Sequence, residues 1–237
     1  MRFVTVKSVE QQDIQATHRV RTELKEQRVA KANQIRGLVA EYGLVAPLTL
    51  LALRSAIPCW LEDADNGLTD HFRSLLHGLW GDLVALDDRM TELDKQIKAL
   101  ADNNEVTRRL QQLRGVGPLV ATALVATVGT GEQYRKGRQM AAALGLTPRQ
   151  CSSGDKQRLL GISKRGDVYL RTMLIHGARA VVSQAKHRDD RLSRWVTSIS
   201  KRSHANVAAV ALANKTARMA WAMLRNDSNY DPDFVNS

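Results

Sequence analysis

The clearest periodicity in the chain lies in residues 72–100, which read FRSLLHGLWGDLVALDDRMTELDKQIKAL. Apolar residues recur at alternating spacings of four and three, which are the a and d positions of a heptad repeat. The seam consists of Phe72, Leu76, Leu79, Leu83, Leu86, Met90, Leu93, Ile97 and Leu100. This pattern predicts a long coiled-coil helix whose seam is buried, against another helix of the chain, against a second chain, or both. A homo-oligomer is therefore expected.

A second long helix is predicted on the N-terminal side of this seam, over residues 8–42, so that the two helices can pair antiparallel. Ser8 and Gln11 have the spacing of a capping box, and Gly43 supplies a C-terminal stop. The residues before this helix alternate as in a strand around Phe3–Val6, and they are too few to form a sheet alone. The prediction is a strand detached from its partners.

One face of this first helix is basic, because four cationic or titratable residues recur at spacings of three and four. They are His18, Arg21, Lys25 and Arg28. A solvated helix surface and a nucleic-acid-binding face both fit this pattern, and the sequence does not choose between them.

The charge of the chain is strongly divided. Residues 61–105 carry eleven acids against four bases, whereas residues 106–225 carry twenty-two Lys and Arg against five acids. Such a basic segment favours a polyanionic partner, most simply nucleic acid, since each neutralised phosphate releases counterions. An anionic membrane surface is the competing partner, but no basic amphipathic helix with an aromatic face accompanies the charge.

Other features of the composition favour a cytoplasmic protein. There is no apolar run of about 18 residues and no signal-peptide pattern at the N-terminus. Cys59 and Cys151 have neither metal-ligand spacing nor a disulfide framework. His176 and His187 have no Cys or acid at metal spacing, so no metal site is predicted.

The basic segment begins after Asp102-Asn103-Asn104, which breaks the seam helix. A helix over 105–113, the turn Arg114-Gly115-Val116-Gly117-Pro118 and the apolar run 119–128 together resemble a helix-hairpin-helix. In that motif backbone N–H groups and a helix N-terminus contact a DNA phosphate, which makes Arg114, Gly115 and Gly117 candidate contacts. A structural hairpin, with glycines that only permit a tight turn, is the alternative.

Residues 145–171 read GLTPRQCSSGDKQRLLGISKRGDVYLR and combine serines with many cations. Ser152-Ser153-Gly154 predicts a flexible turn, and its serine hydroxyls are candidate nucleophiles or phosphate ligands. The surrounding candidate phosphate ligands are Arg149, Lys156, Arg158, Lys164, Arg165 and Arg171. The alternative is a basic surface loop between two helices.

The remaining sequence is helical. A helix is expected to begin at Asp167 and to carry an apolar stripe up to Val181, with basic residues around it as far as Arg194. A final, largely buried helix is predicted over residues 206–225. The fold class is therefore mainly α, with the expected divisions 1–43, 44–104 (linker and coiled coil), 105–225 and a disordered acidic tail at 226–237.

Several of these segments, in this order, resemble one family. The runs LRGVGPLVATALVATVG, GLTPRQCSSGDKQRLLGISKRGDVYLRTMLIHGARAVV and LANKTARMAWAML are similar to the C-terminal domain of a bacterial insertion-sequence transposase. The family is the DEDD class, which is related to the Piv DNA invertases and guided by a bridge RNA. Residues 3–44 resemble the segment that follows the last catalytic acids of its RuvC-like domain.

The resemblance implies DNA transposition, or site-specific recombination, by a nucleoid-associated enzyme. In such enzymes a RuvC-like domain holds Mg²⁺ on four acids, and a serine of the C-terminal domain attacks the DNA backbone. The family motif marks the serine before the glycine, which is Ser153 here, with Ser152 as the alternative. The expected partners are DNA, a bridge RNA, and a second copy or a full-length transposase bound through the coiled coil.

The family's metal-binding acids have no counterpart among Glu10, Asp13 and Glu23. The sequence therefore predicts an N-terminally truncated chain: a remnant of the RuvC-like domain, the coiled coil, and a complete serine-bearing domain. Such a chain would hold no cofactor itself, would bind nucleic acid, and would not recombine DNA alone. Two alternatives are a non-catalytic nucleic-acid-binding regulator of the full-length transposase and a structural helical adaptor.

Overall fold

A computed structural model describes residues 6–153 and 156–232 of the chain. These residues are mainly helical, as the sequence predicts, with one small antiparallel hairpin. The elements are α1 (Val9–Ala40), α2 (Leu50–Glu62), α3 (Asp70–Asn103), α4 (Glu105–Leu110), α5 (Pro118–Val128), α6 (Gly137–Ala143), β1 (Pro148–Ser153), β2 (Lys156–Ile162), α7 (Val168–Gln184), a 3₁₀ turn (Ala185–His187), α8 (Arg191–Arg202) and α9 (Ala205–Asn226).

The chain divides into two compact units. Residues 16–96 form one, which we call the helical-arm unit, and the residues on either side of it form the other, which we call the serine unit.

The core of the helical-arm unit is shared by three helices. Ala32, Ile35 and Val39 of α1 pack with Leu53 and Ile57 of α2 and with seam residues of α3. The paired helices are antiparallel, because Arg21 binds Asp94 while Lys31, further along α1, binds the earlier Asp82. Burying this apolar surface supplies most of the stability of such a helix pair.

The heptad seam of α3 is buried or half-buried, as predicted, from Phe72 to Ile97. Phe72, Leu76 and Leu83 belong to the core of the helical-arm unit, so other helices of the same chain cover them. Leu79 packs against the edge of this core, while Leu100 at the far end is exposed. Burial of the first part of the seam therefore needs no second chain, and oligomerisation stays a prediction.

The serine unit surrounds α9, which contacts α4, α6, α7 and α8. Its buried positions are largely alanine, including Ala209, Ala213 and Ala217. Small side chains let the neighbouring helices approach closely. The prediction of a largely buried final helix is confirmed.

The helix that the sequence predicted from Asp167 is α7, with Asp167 as its N-cap, and a separate helix, α8, follows it. α7 ends at Gln184, and α8 begins at Arg191. Asp190 caps α8, since its side chain accepts a hydrogen bond of 2.9 Å from the backbone N–H of Ser193. An aspartate at this position stabilises a new helix start and stops the preceding helix from continuing.

The sequence predicted a capping box and a strand at the N-terminal end of the chain and a disordered tail at its C-terminal end. The capping box is confirmed, because the Ser8 backbone N–H donates to Gln11 Oε1 (3.0 Å) and the Gln11 N–H donates to Ser8 Oγ (3.2 Å). The predicted strand at Phe3–Val6 lies almost wholly outside the described residues. At the other end disorder was expected over residues 226–237. Residues 233–237 lie outside the described residues, whereas in the described part of the tail Asp227 binds Arg109 and the Tyr230 N–H donates to Gln112 Oε1.

Candidate nucleophile and nucleic-acid interface

The two candidate serines lie on a β-hairpin, whereas the sequence predicted a turn. β1 and β2 are antiparallel, with Ser153 opposite Lys156 and Cys151 opposite Arg158. Every residue of β1 is exposed. The two residues at the tip, 154 and 155, lie outside the described residues. The hairpin therefore presents both serines to solvent at its outer end.

The strand geometry separates Ser153 from Ser152. Side chains alternate between the two faces of a strand, and although the register shifts between Pro148 and Gln150, the extra residue lies on β2. Arg149, Cys151 and Ser153 of β1 therefore share one face. Cys151 is paired with Arg158, which brings that guanidinium to the same face. Ser152 is on the opposite face, where its Oγ accepts a hydrogen bond of 2.9 Å from Gln150 Nε2.

The face that carries Ser153 is basic and exposed. Arg149 and Arg158 are both exposed, and within the described ranges neither forms an ion pair. The side chain of Lys156 lies outside the described residues. No His, Asp or Glu of the described part hydrogen-bonds to Ser153. The arrangement thus offers a hydroxyl beside free cations, which suits contact with a phosphate, but it includes no described general base.

Arg171 was predicted to contact a phosphate, and the structure places it instead beneath the hairpin. It is buried, and its Nη1 donates to the carbonyl oxygens of Leu144 (3.0 Å) and Arg165 (2.9 Å). These two carbonyls lie on the segments that enter and leave the hairpin. Arg171 therefore joins the two ends of the hairpin and is not available to a ligand.

Two glycines allow the same segments to meet. A Cβ at Gly166 would lie 1.8 Å from the carbonyl oxygen of Ala143, and one at Gly145 would lie 2.2 Å from that of Arg165. Both residues have positive φ. A side chain at either position would force the two segments apart. Lys164 and Arg165, predicted phosphate ligands, are exposed at this base.

The predicted helix-hairpin-helix is a helix, a turn and a helix in the structure, but two of its three candidate residues have structural roles. Arg114 Nη1 donates to Asp190 Oδ2 (2.7 Å) and to Ser193 Oγ (2.8 Å). Gly115 packs against Gly177, where a Cβ on the latter would lie 1.9 Å from the Gly115 carbonyl oxygen. Gly117, which precedes α5, is exposed and has open space beside it.

Asp190, the partner of Arg114, is kept in its ionised form by its contacts with Arg114 and Ser193. Burial acts to raise the pKa of Asp190, but hydrogen bonds from Ser193 and the charge of Arg114 outweigh it and lower that pKa. Arg114 and Asp190 thus tie the turn before α5 to the start of α8.

The basic face of α1 is used within the helical-arm unit. Arg21 binds Asp94 at 2.6 Å, and Arg28 binds Asp87 at 2.8 Å. His18 is buried, and burial, followed by the nearby charge of Arg21, lowers its pKa to about 4. Lys25 is exposed. Three of these four residues are therefore used inside the helical-arm unit, which is neither the solvated surface nor the nucleic-acid-binding face that the sequence left open.

Neither a metal centre nor a membrane span is found in the part of the chain that the structure describes. Its His, Cys, Asp and Glu side chains form no group of three or more that could hold a metal ion. None of its helices is long and apolar enough to cross a bilayer.

Sequence reasoning missed a second concentration of cations, in a cleft of the serine unit. Lys136 and Arg138 lie at the start of α6, and Lys215 and Arg218 lie on α9. These residues come from distant parts of the sequence, so no local pattern could have grouped them.

Known proteins resemble this chain in sequence over nearly its whole length. Residues 107–194, which include the hairpin, match the model described as "Transposase IS116/IS110/IS902 family". The chain is 46% identical, over 98% of its length, to the "Probable family 20 transposase" of Pseudomonas aeruginosa and covers 69% of that protein. It is 43% identical, over 97% of its length, to the "Transposase for insertion sequence element IS1111A" of Coxiella burnetii and covers 63% of it.

A third relative, the "Transposase for insertion sequence element IS1328" of Yersinia enterocolitica, is 35% identical over 94% of this chain, which covers 66% of that relative. The chain belongs to the IS116/IS110/IS902 transposase family. It spans between 63% and 69% of the length of these three curated relatives.

Proposed function

We propose that the chain takes part in insertion-sequence transposition, a site-specific DNA recombination, and that Ser153 is its nucleophile toward the DNA backbone. The observation that carries this proposal is the hairpin geometry. Ser153, and not Ser152, shares an exposed strand face with Arg149 and Arg158. This hairpin lies inside the segment that the transposase family model matches.

The step we propose is a transesterification. Ser153 Oγ attacks a backbone phosphorus, an Oγ–P bond forms, and the P–O bond to one deoxyribose breaks. The Oγ proton passes to a base or to solvent, and the leaving deoxyribose oxygen takes up a proton as a free hydroxyl. The phosphodiester is retained as a phosphoserine link, so its bond energy remains available for strand exchange.

The cations beside Ser153 would orient the scissile phosphate and stabilise the charge that develops on it. Arginine suits this role because its planar guanidinium can donate two parallel hydrogen bonds to one phosphate. Arg149 and Arg158 are the candidates on the serine face. Lys164 and Arg165, exposed at the base of the hairpin, would contact neighbouring phosphates.

The four-acid Mg²⁺ site of the DEDD class does not fit the described residues, since they provide no cluster of three or more candidate ligands. We therefore assign no metal-dependent step to this chain. A bridge RNA partner and membership of the DEDD class are proposed from the family resemblance. We further propose that the chain alone binds DNA, and that transesterification requires acids from a partner such as a longer transposase.

The test uses matched serine variants. The chain, Ser153→Ala and Ser152→Ala are each mixed with Mg²⁺, guide RNA, supercoiled DNA bearing the element ends and the P. aeruginosa relative. A DNA adduct resistant to denaturant is expected on the wild type and on Ser152→Ala, and fragment ions of the modified peptide should place its mass on residue 153. It should be absent from Ser153→Ala. An adduct that follows Ser152, or DNA binding without any adduct, would overturn the assignment of Ser153.

DNA binding without any adduct would favour the alternative function, a non-catalytic nucleic-acid-binding regulator of a full-length transposase. One observation supports that alternative: the described part of the site has a hydroxyl and cations but no general base or metal cluster. Titrating the chain against a fixed amount of the relative separates the two functions further. A regulator would lower the yield of the relative's own adducts as its concentration rises, whereas a catalytic partner would raise the total.

A further inference from the structure

A cleft in the serine unit is lined by cations from three helices. It lies between the start of α6, the start of α8 and the second half of α9, and residues 228–232 form part of its wall. Its volume is about 670 Å³. The five cations that line it are Lys136, Arg138, Arg191, Lys215 and Arg218. Apart from Arg191, which belongs to the basic residues expected around the helix from Asp167, none of them is among the residues that the sequence singled out.

Close helix packing brings these cations together. A Cβ at Gly137 would lie 3.1 Å from both the Cα and the carbonyl oxygen of Arg218, so α6 lies directly on α9 at this point. Lys136 and Arg138, on either side of Gly137, are thereby placed beside Arg218. Lys215, one turn earlier on α9, is held over the ring of Trp195 with its Nζ 4.7 Å from the ring centroid.

The charge of the cleft is poorly balanced. Lys136, Arg138, Lys215 and Arg218 form no ion pair within the described ranges, whereas Arg109 and Arg225 of the same unit bind Asp227 and Glu132. Among the described lining residues, the single carboxylate is that of Asp231.

The cations also affect one another. Burial, and then the charges of Arg191 and Arg218, lower the pKa of Lys215. Holding like charges together in this way costs stability in the free protein. An anionic ligand would relieve that repulsion.

We propose that this cleft is a second nucleic-acid site, which binds the phosphodiester backbone independently of the serine face. Three of its cations are arginines, whose guanidinium groups suit bidentate contact with phosphate. The contacts come from side chains around an open cleft and not from a helix entering a groove, so they would position a strand without reading its bases. This inference rests on the proposal that the chain binds nucleic acid, but it does not depend on the chemistry of Ser153.

The test measures affinity by fluorescence anisotropy with the full chain and labelled DNA duplex, single-stranded DNA and RNA of equal length. The cleft variant is Arg138→Ala/Arg218→Ala. Its matched control is Arg179→Ala/Lys186→Ala, which removes two exposed cations of the serine unit outside the cleft and the hairpin. The cleft variant should bind at least one of the three probes about tenfold more weakly, and the slope of log K against log salt should fall by about two.

The control variant should change the affinity less than threefold, and Arg138→Lys/Arg218→Lys should restore much of it. Asp231→Asn should bind more tightly than the wild type, because it removes the carboxylate from the lining. Equal losses in the cleft and control variants would overturn the cleft proposal, as would displacement of the DNA by polyglutamate of equal charge. Absence of nucleic-acid binding by the wild type would instead overturn the proposed function. Thermal unfolding of every variant excludes a folding defect as the cause.

Discussion

The α1 face and the β-hairpin both carry closely spaced cations, but they use them differently. On α1, Arg21 and Arg28 bind Asp94 and Asp87, and Arg54 of α2 also reaches Asp87 at 2.7 Å. On the hairpin, Arg149 and Arg158 are exposed and, in the part of the chain described, have no acidic partner. The α1 cations hold helices together, and the hairpin cations remain available to a ligand.

The difference shows what a charge pattern in a sequence leaves out. Spacing tells which cations share a face, but an acidic residue on another helix decides whether those cations are already bound. The acids of residues 61–105 predicted a separate, negatively charged segment. In the structure Asp82, Asp87 and Asp94 are the partners of cations on α1.

The largest expected effect, on the free energy of unfolding, comes from replacing a buried arginine whose hydrogen bonds all stay inside the protein. Arg171→Ala should destabilise the serine unit by about 3 kcal/mol, because it removes a buried donor shared by two carbonyl groups. The free energy of unfolding, from urea titration followed by circular dichroism, measures this loss. The matched variant Arg149→Ala removes an exposed arginine and should change it by less than about 0.5 kcal/mol.

A similar small loss for both arginines would contradict the structural role of Arg171. Hydrogen exchange gives a second measurement, since the amides of the hairpin base should lose protection in Arg171→Ala. The backbone N–H of Ser163, which donates to the Thr147 carbonyl oxygen at 2.9 Å, is the most direct reporter.

The next effect concerns pH and the buried histidine of the α1 face. The pKa of His18 is lowered by burial, and then by Arg21, from 6.5 to about 4. The unfolded chain therefore binds more protons than the folded chain between these values. The stability due to neutral His18 is full above pH 6.5 and is lost as pH falls toward 4, with about 2 kcal/mol lost between pH 7 and pH 5.

Urea midpoints measured across this pH range test the assignment. His18→Gln should flatten the decline, whereas His71→Gln, at an exposed position on α3, should leave it unchanged. If stability falls with pH equally steeply in the wild type and in His18→Gln, the pKa of His18 is not lowered. His18 would then be exposed on the basic face of α1, as the sequence allowed.

Much of the fold could be predicted because its signals are local. Heptad spacing predicted α3, and the Ser8 and Gln11 capping box predicted the start of α1. The hairpin could not be predicted from its own residues. All of β1 and residues 158–161 of β2 are exposed, so the alternation of apolar and polar residues that marks a half-buried strand is missing there.

In the candidate site, the choice of Ser153 could be predicted from the sequence, but the burial of Arg171 could not. The family resemblance selected Ser153 from its position before a glycine, and the strand register separates it from Ser152 on independent geometric grounds. The burial of Arg171 depends on Gly145 and Gly166, which bring two segments of backbone around its guanidinium. Contacts of that kind arise from tertiary packing, and charge spacing along the chain does not report them.

The smallest expected effect, on the affinity for DNA, tests the difference between the hairpin cations and the α1 cations most directly. Arg149→Ala/Arg158→Ala should weaken DNA binding about tenfold at moderate salt, or about 1.4 kcal/mol, since two phosphate contacts are lost. Arg21→Ala/Lys25→Ala removes the same charge from α1 and should weaken binding less than twofold, because Arg21 is already bound to Asp94. Anisotropy titrations at several salt concentrations compare the two variants. The α1 variant contradicts this difference if it loses as much affinity and as much salt dependence as the hairpin variant. In that case the ion pairs of α1 open when DNA binds, and the basic face of α1 belongs to the DNA interface.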